Sequence, residues 1–173
     1  GDDLLVANDG DDILVGGAGD DQLLGGEGVD TALFTKANTA VTIDLAGGTA
    51  SGVETGNDTL SSIENAVGGS GDDTLTGSSG DNQLAGGSGD DIFDGGSGDD
   101  TLDGGAGSDV YKVSDGDDVI ISGGGSDRLE LGADYTFEGA LLDPETGDLT
   151  LDLLKDGSPH SVTVVNSVLA PVQ

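Results

Sequence analysis

A nine-residue phrase sets what this chain can fold into. Gly16–Leu24 reads GGAGDDQLL, Gly86–Asp94 reads GGSGDDIFD and Gly95–Asp103 reads GGSGDDTLD. The shared pattern is Gly-Gly-x-Gly-x-Asp-x-U-x, with U a large apolar residue. Its sixth-position acids fall at Asp3, Asp12, Asp21 and Asp30, then at Asp73, Asp91, Asp100, Asp109, Asp118 and Asp127, with Asn82 filling the slot between Asp73 and Asp91. A short fixed period of this kind marks a stacked architecture in which each turn contacts only its neighbours.

The beat divides the chain into four segments. Residues 1–33 form a first repeat block, entered at the fourth position of a repeat, so the natural chain is expected to begin earlier. Residues 34–67 interrupt it: Val41, Ile43 and Leu45 alternate with polar residues as in a half-buried strand. Counting back nine from Asp73 lands on Glu64, where the repeat is expected to resume. Residues 68–130 are seven nonapeptides in unbroken register. Residues 131–173 contain all three prolines; Leu149, Leu151 and Leu153 alternate, Asp156-Gly157 supplies a turn, and Val162, Val164 and Val165 follow. That pattern predicts a β-hairpin, read as a cap on the open end of a stacked fold.

Within a repeat, positions seven to nine predict a three-residue strand with only the eighth side chain pointing inward. The eighth residues are Leu5, Leu14, Leu23 and Ala32, then Leu75, Leu84, Phe93, Leu102, Tyr111, Ile120 and Leu129. One apolar side chain must therefore offset the ordering of nine backbones, several of them glycines, which lose the most freedom on folding. Stacked rows of carboxylates add repulsion. A chain built this way needs a cation to fold.

Calcium meets that need. It takes six to eight oxygen ligands in flexible geometry, whereas magnesium demands a strict octahedron and keeps its waters. If strands alternate between two walls, loops of repeats n and n+2 lie one strand spacing apart, roughly 4.8 Å. The predicted ligand pairs are Asp3 with Asp21, Asp12 with Asp30, Asp73 with Asp91, Asp91 with Asp109, Asp100 with Asp118, and Asp109 with Asp127. Asn82 with Asp100 is a weaker site, one charge short. Glycines at positions one, two and four are expected to take positive φ and aim carbonyls at the ion. Fifth-position acids such as Asp2, Asp20 and Asp99 are expected to face solvent. Asp58, Glu54 and Glu64 are candidates for a non-standard site at the interruption.

Composition excludes several functions. The formal charge is −31, from 35 acids against four bases, which repels nucleic acid and anionic membrane surfaces. No stretch approaches 18 apolar residues, so no direct membrane insertion by a helix is expected. There is no Cys, so disulfides play no part. Without metal, such charge with so few large apolar residues reads as disorder. The single histidine, His160, follows Pro159 in a predicted turn, with no metalloprotease motif or nucleophile elbow in the chain. Enzyme activity is therefore not expected of this chain, and neither is an ice-binding face, because outward positions carry no regular Thr array.

Residues 1–33 and 68–130 closely resemble the RTX family, the haemolysin-type calcium-binding repeats of Gram-negative secreted proteins. The resemblance implies an all-β fold, a right-handed parallel β-roll with calcium ions in rows along both edges. It also implies that the module is part of a larger polypeptide, exported unfolded through type I secretion machinery and folded in extracellular calcium. The alternative is a structural or adhesive calcium-rigidified element of a bacterial cell surface, such as an S-layer or biofilm adhesin. Upstream sequence separates the two: a catalytic domain points to the first, a lattice-forming or tandem adhesive domain to the second. Ala7-Asn8, Ser78-Ser79, Asn82, Ala32 and residues 34–67 depart from the family pattern and leave open whether the blocks share one roll. Whether Ser167–Gln173 carries a secretion signal also stays open.

Overall fold

A computed structural model describes residues 1–142 and 148–165; the segment Ser167–Gln173, considered above for an export signal, lies outside them. Among the described residues every regular element is a strand. The first block supplies β1 (Leu4–Asp9), β2 (Ile13–Leu14), β3 (Gln22–Glu27) and β4 (Thr31–Leu33). The interruption supplies β5 (Val41–Asp44), β6 (Thr49–Gly52), β7 (Gly56–Ser61) and β8 (Asn65–Val67). The second block adds β9 (Thr74–Thr76), β10 (Gln83–Ser88), β11 (Ile92–Asp94), β12 (Thr101–Ala106), β13 (Val110–Lys112), β14 (Asp117–Ile121) and β15 (Arg128–Glu130). Three strands end the chain: β16 (Tyr135–Leu142), β17 (Leu149–Lys155) and β18 (Ser158–Val165).

Two walls form a β-roll. One runs β1-β3-β7-β6-β5-β9-β11-β13-β15, the other β16-β17-β18-β14-β12-β10-β8-β4-β2. Successive repeats go to opposite walls, so parallel partners are 18 residues apart, as in Leu5↔Leu23, Leu84↔Leu102 and Phe93↔Tyr111. Eighth-position side chains then meet between the walls. Leu14, Leu23, Ala32, Leu75, Leu84, Phe93, Leu102, Tyr111 and Ile120 are buried, while Leu5 and Leu129, at the two ends of the block pattern, pack partly buried against them. Phe93 and Tyr111 stack at 5.2 Å between ring centroids, an arrangement worth something beyond area alone. Some strands exceed the expected three residues because the loop after them also pairs, as Gly87↔Gly105 and Ser88↔Ala106 show.

The interruption does not break the roll. On one wall β4 and β10 both pair in parallel with β8, through Ala32↔Ala66 and Leu84↔Ala66. On the other wall β7 pairs in parallel with β3, and β5 with β9, while β6 joins β7 to β5 by two antiparallel pairings. The segment thus places three strands on one wall and one on the other. The alternation that predicted a strand is β5, with Val41 and Ile43 buried and Thr42 exposed. Both blocks therefore belong to one roll, which answers the question the sequence left open.

At the C-terminal end, β18 extends the second wall in parallel with β14, and β17 and β16 follow antiparallel. Lys155 and Ser158 close the hairpin around Asp156 and Gly157, both at positive φ. Leu153 and Val162 join the core, and Val164 sits beside Ile120. Sequence pattern had indicated two strands here; β16 is a third.

Candidate metal centres

Each loop joins two walls, so its sixth residue sits at a roll edge, directly after the turn and before the buried strand. The sixth-position side chains fall into two columns. One holds Asp3, Asp21, Asp73, Asp91, Asp109 and Asp127; the other holds Asp12, Asp30, Asn82, Asp100 and Asp118. Asp21, Asp30, Asp73, Asn82, Asp91, Asp100, Asp109 and Asp118 are all buried. Asp12 is half-buried, and Asp3 and Asp127, at the ends of their column, are exposed.

Every predicted pair is in contact along its column. The sixth-position N–H of one turn donates to the Oδ1 of the turn 18 residues later: Asp3 to Asp21 (2.7 Å), Asp12 to Asp30 (2.9 Å), Asp73 to Asp91 (2.7 Å), Asn82 to Asp100 (2.8 Å), Asp91 to Asp109 (2.9 Å), Asp100 to Asp118 (3.2 Å) and Asp109 to Asp127 (2.9 Å). One oxygen of each accepting carboxylate is thereby fixed. The other, Oδ2, has no hydrogen-bond partner and no solvent contact in Asp21, Asp30, Asp91, Asp100 and Asp109, and the same holds for Oδ2 of Asp12 at the start of its column. An unmatched buried anionic oxygen is too costly to leave in a stable fold.

Among the described residues no side chain supplies the missing charge. The ion pairs among the described residues are Arg128–Glu130 and Lys155–Asp115, neither of them with a sixth-position acid. The cost shows in the acidities. Burial foremost pushes Asp91 and Asp100 up to about 7 and Asp118 to about 6, with Asp73 and Asp109 adding to it for Asp91, Asp118 for Asp100 and the fifth-position Asp99 for Asp118. Burial likewise raises Asp73 and Asp109. Without a cation these groups tend toward the neutral acid.

The residues present fit a hard cation. Among the described residues no cluster of three His, Cys, Asp or Glu side chains is placed to hold a metal. An ion between turns would thus take the two column carboxylates and fill its shell from main-chain carbonyls, as calcium readily does. The loop glycines make room for this in two ways. Gly96 and Gly98, at positions two and four, have φ of +99° and +113°, and a Cβ on Gly96 would strike the Ser78 carbonyl of the preceding turn. The first-position glycines behave differently from expectation. Gly86, Gly95 and Gly104 are not at positive φ; a Cβ there would strike the Oδ2 of the loop's own Asp91, Asp100 or Asp109. They are required by the carboxylate folded over them, not by backbone conformation.

Asn82 has both ends of its amide engaged. Its Oδ1 accepts from the Ser78 N–H at 2.6 Å, and its Nδ2 donates to the Glu64 carbonyl at 2.6 Å.

Sequence reasoning missed a second ladder. The exposed fifth-position acids are not idle: their Oδ1 accepts the fifth-position N–H of the following turn, as Asp99 does from Asp117 (2.9 Å) and Asp81 from Asp99 (2.9 Å). The same bond runs from Asp20 to Asp2 and from Asp90 to Asp72. The doubled Asp-Asp of the repeat was the available signal. At the interruption, Asp58 Oδ1 accepts the Asp21 N–H and Glu64 Oε2 the Asp30 N–H, both at 2.9 Å. These two residues thus extend the columns, whereas Glu54 instead accepts from the Asn38 N–H at an exposed turn. His160 is no metal centre here: its Nδ1 accepts the Gly116 N–H at 3.2 Å, edge-on to Tyr135.

The model of the RTX calcium-binding nonapeptide repeat (4 copies) matches residues 1–32, 67–102 and 103–137. No curated protein matches the chain closely enough to count as a relative. Among solved structures, the extracellular lipase LipA from Serratia marcescens aligns at 23% identity with a TM-score of 0.36, over 97% of this chain and 37% of that one. This chain spans little more than a third of that protein's length. With more than half of its residues matched by the repeat model, and every matched turn stacked in register, the chain belongs to the RTX calcium-binding nonapeptide repeat family.

Proposed function

We propose that this chain is a calcium-dependent folding module of a larger secreted protein, unfolded during export and ordered by extracellular calcium. The ligands are the sixth-position side chains Asp3, Asp12, Asp21, Asp30, Asp73, Asp91, Asp100, Asp109, Asp118 and Asp127, with Asn82 the weakest position. The observation that carries the reading is the run of buried Oδ2 atoms with neither hydrogen bond nor countercharge. Bound calcium supplies positive charge and an oxygen-accepting shell. The chain's own residues do the rest: backbone N–H groups orient Oδ1, first-position glycines admit Oδ2, and one apolar side chain per turn closes the interior.

The coupling to export follows from thermodynamics. A site assembled only by stacking two turns does not exist in the unfolded chain, so binding free energy is folding free energy. In low calcium the repulsion of a −31 chain keeps it extended, as passage through a type I channel needs. On this reading the module serves folding and export, and catalytic activity resides elsewhere in the polypeptide. Calcium titration followed by far-ultraviolet circular dichroism tests this: a cooperative coil-to-β transition is expected, and a β spectrum that persists in excess EGTA at neutral pH overturns it.

A further inference from the structure

We infer that Asp58 is a cation ligand, and that a calcium-type divalent cation is held between Asp21 and Asp58, carrying the edge row into a segment that has lost the nonapeptide. The inference rests on reading the sixth-position carboxylates as ligands. Gly56-Asn57-Asp58 reproduces the second half of a repeat loop, bond for bond. Gly56 has φ +94° and a Cβ there would strike the Gly19 carbonyl, as one on Gly28 would strike that of Gly10. The Asn57 N–H donates to Asp20 Oδ1 at 2.8 Å, as the Asp20 N–H does to Asp2 Oδ1 at 3.1 Å. The Asp21 N–H donates to Asp58 Oδ1 at 2.9 Å, and the Thr59 N–H to the Asp21 carbonyl at 2.9 Å, matching the Gln22 N–H to Asp3 carbonyl bond of 2.8 Å.

The first half of the loop is different. Val53 and Glu54 stand where the repeats have Gly-Gly, and Val53 is 92% exposed. The repeat pattern is therefore absent, and the family match stops at residue 32 and resumes at 67. The chemistry nonetheless persists. Asp58 is 3% exposed, and neither its Oδ2 nor that of Asp21 has a partner. Two facing buried carboxylates, each with one oxygen pinned by the backbone and one unmatched, repeat the arrangement of the nonapeptide columns. Asp21 then serves two ions, one toward Asp3 and one toward Asp58.

The test counts ions. Asp58→Asn keeps an oxygen to accept the Asp21 N–H but removes the charge, so at saturating calcium it should fold and bind one ion fewer than the unaltered chain by native mass spectrometry. Glu54→Gln, at the exposed Asn38 turn, should bind the full number. An unchanged count in Asp58→Asn overturns the inference. If that variant does not fold, anomalous scattering from crystals of the unaltered chain grown in calcium decides: a peak between Asp21 and Asp58 supports the site, and its absence while peaks stand between nonapeptide turns overturns it. An unaltered chain that takes up no calcium at all overturns the proposed function as well, so the two failures are distinguishable.

Discussion

Between Gly68 and Glu130 the roll buries seven apolar side chains in 63 residues, and beside them the carboxylates of Asp73, Asp91, Asp100, Asp109 and Asp118. Between Phe34 and Val67 it buries nine apolar side chains in 34 residues, Phe34, Val41, Ile43 and Ile63 among them, with Asp58 the sole buried carboxylate. The two regions share walls and register yet hold together by different physics. The interruption resembles an ordinary small core, where removal of apolar surface from water dominates. The nonapeptide turns are too lean in hydrocarbon for that and depend on what neutralises their edges. The same architecture thus contains a part dominated by its edge carboxylates and a part dominated by its apolar core.

The largest effect should come from calcium removal. In excess EGTA at pH 7 the nonapeptide amides should lose protection from hydrogen exchange together, while amides of β5 to β7 persist longest as calcium is lowered. Simultaneous loss everywhere would erase the distinction between the regions. Next comes Asp100→Ala, which strips a proposed ligand between Asn82 and Asp118 and leaves the buried Asn82 N–H unpaired, itself a cost of about 1–3 kcal/mol. Its calcium midpoint should rise by more than tenfold, and an unchanged midpoint would mean diffuse charge holds the ions. Ile43→Ala, in the interruption, should cost about 2–5 kcal/mol through cavity formation. That loss should appear in urea melts at saturating calcium, with little change in the number of ions bound.

Acid offers a substitute for the cation. In the metal-free fold burial pushes Asp91 and Asp100 up to about 7, against 3.8 for an ordinary aspartate. The metal-free folded chain therefore holds more protons than the unfolded chain between about pH 4 and 7, and its stability declines as pH rises through that window. In calcium-stripped buffer, β signal should grow as pH is lowered from 7 to 4. A metal-free chain most structured at pH 7 would show that its carboxylates are ionised and satisfied without calcium. The smallest effect belongs to Asp99→Ala. It removes one exposed acceptor for the Asp117 N–H, about 0.5–1.5 kcal/mol, partly offset by relief of like charge. Its calcium midpoint should move far less than that of Asp100→Ala.

Much of this was legible in the sequence because the repeat couples two regularities. The period of nine placed the eighth-position side chains in the core or, for Leu5 and Leu129, against it, and each predicted pair within one column. The wall alternation followed from pairing at 18 residues. Legibility failed where contacts are long-range and aperiodic. Gly56-Asn57-Asp58 is a local trace of the repeat and marked Asp58 as a candidate, but nothing local says that its partner is Asp21, 37 residues away, or that β6 turns back between β7 and β5. The role of Gly95 was misread for a related reason: its constraint comes from the Asp100 carboxylate lying over it, not from its own φ. Tyr135 pairing through its hydroxyl with Asp115, beside Lys155, is another junction of distant residues that no spacing announces. That bond with Lys155 foremost, then Tyr135, draws the Asp115 carboxyl below its usual range.

The two carboxylate ladders point in opposite senses: sixth-position acids accept from the turn behind, fifth-position acids from the turn ahead. Asp99 and Asp100, adjacent in sequence, therefore clamp Asp117 on one side and Asn82 on the other. A turn cannot leave the stack without releasing acceptors or donors in both neighbours on its edge. Its direct neighbour in sequence lies on the opposite edge and is not tied in this way. Disorder starting in one loop should accordingly travel in strides of two repeats, along a single edge. The molecule then behaves as two cooperative lines, interleaved in sequence and meeting at the apolar seam between its walls.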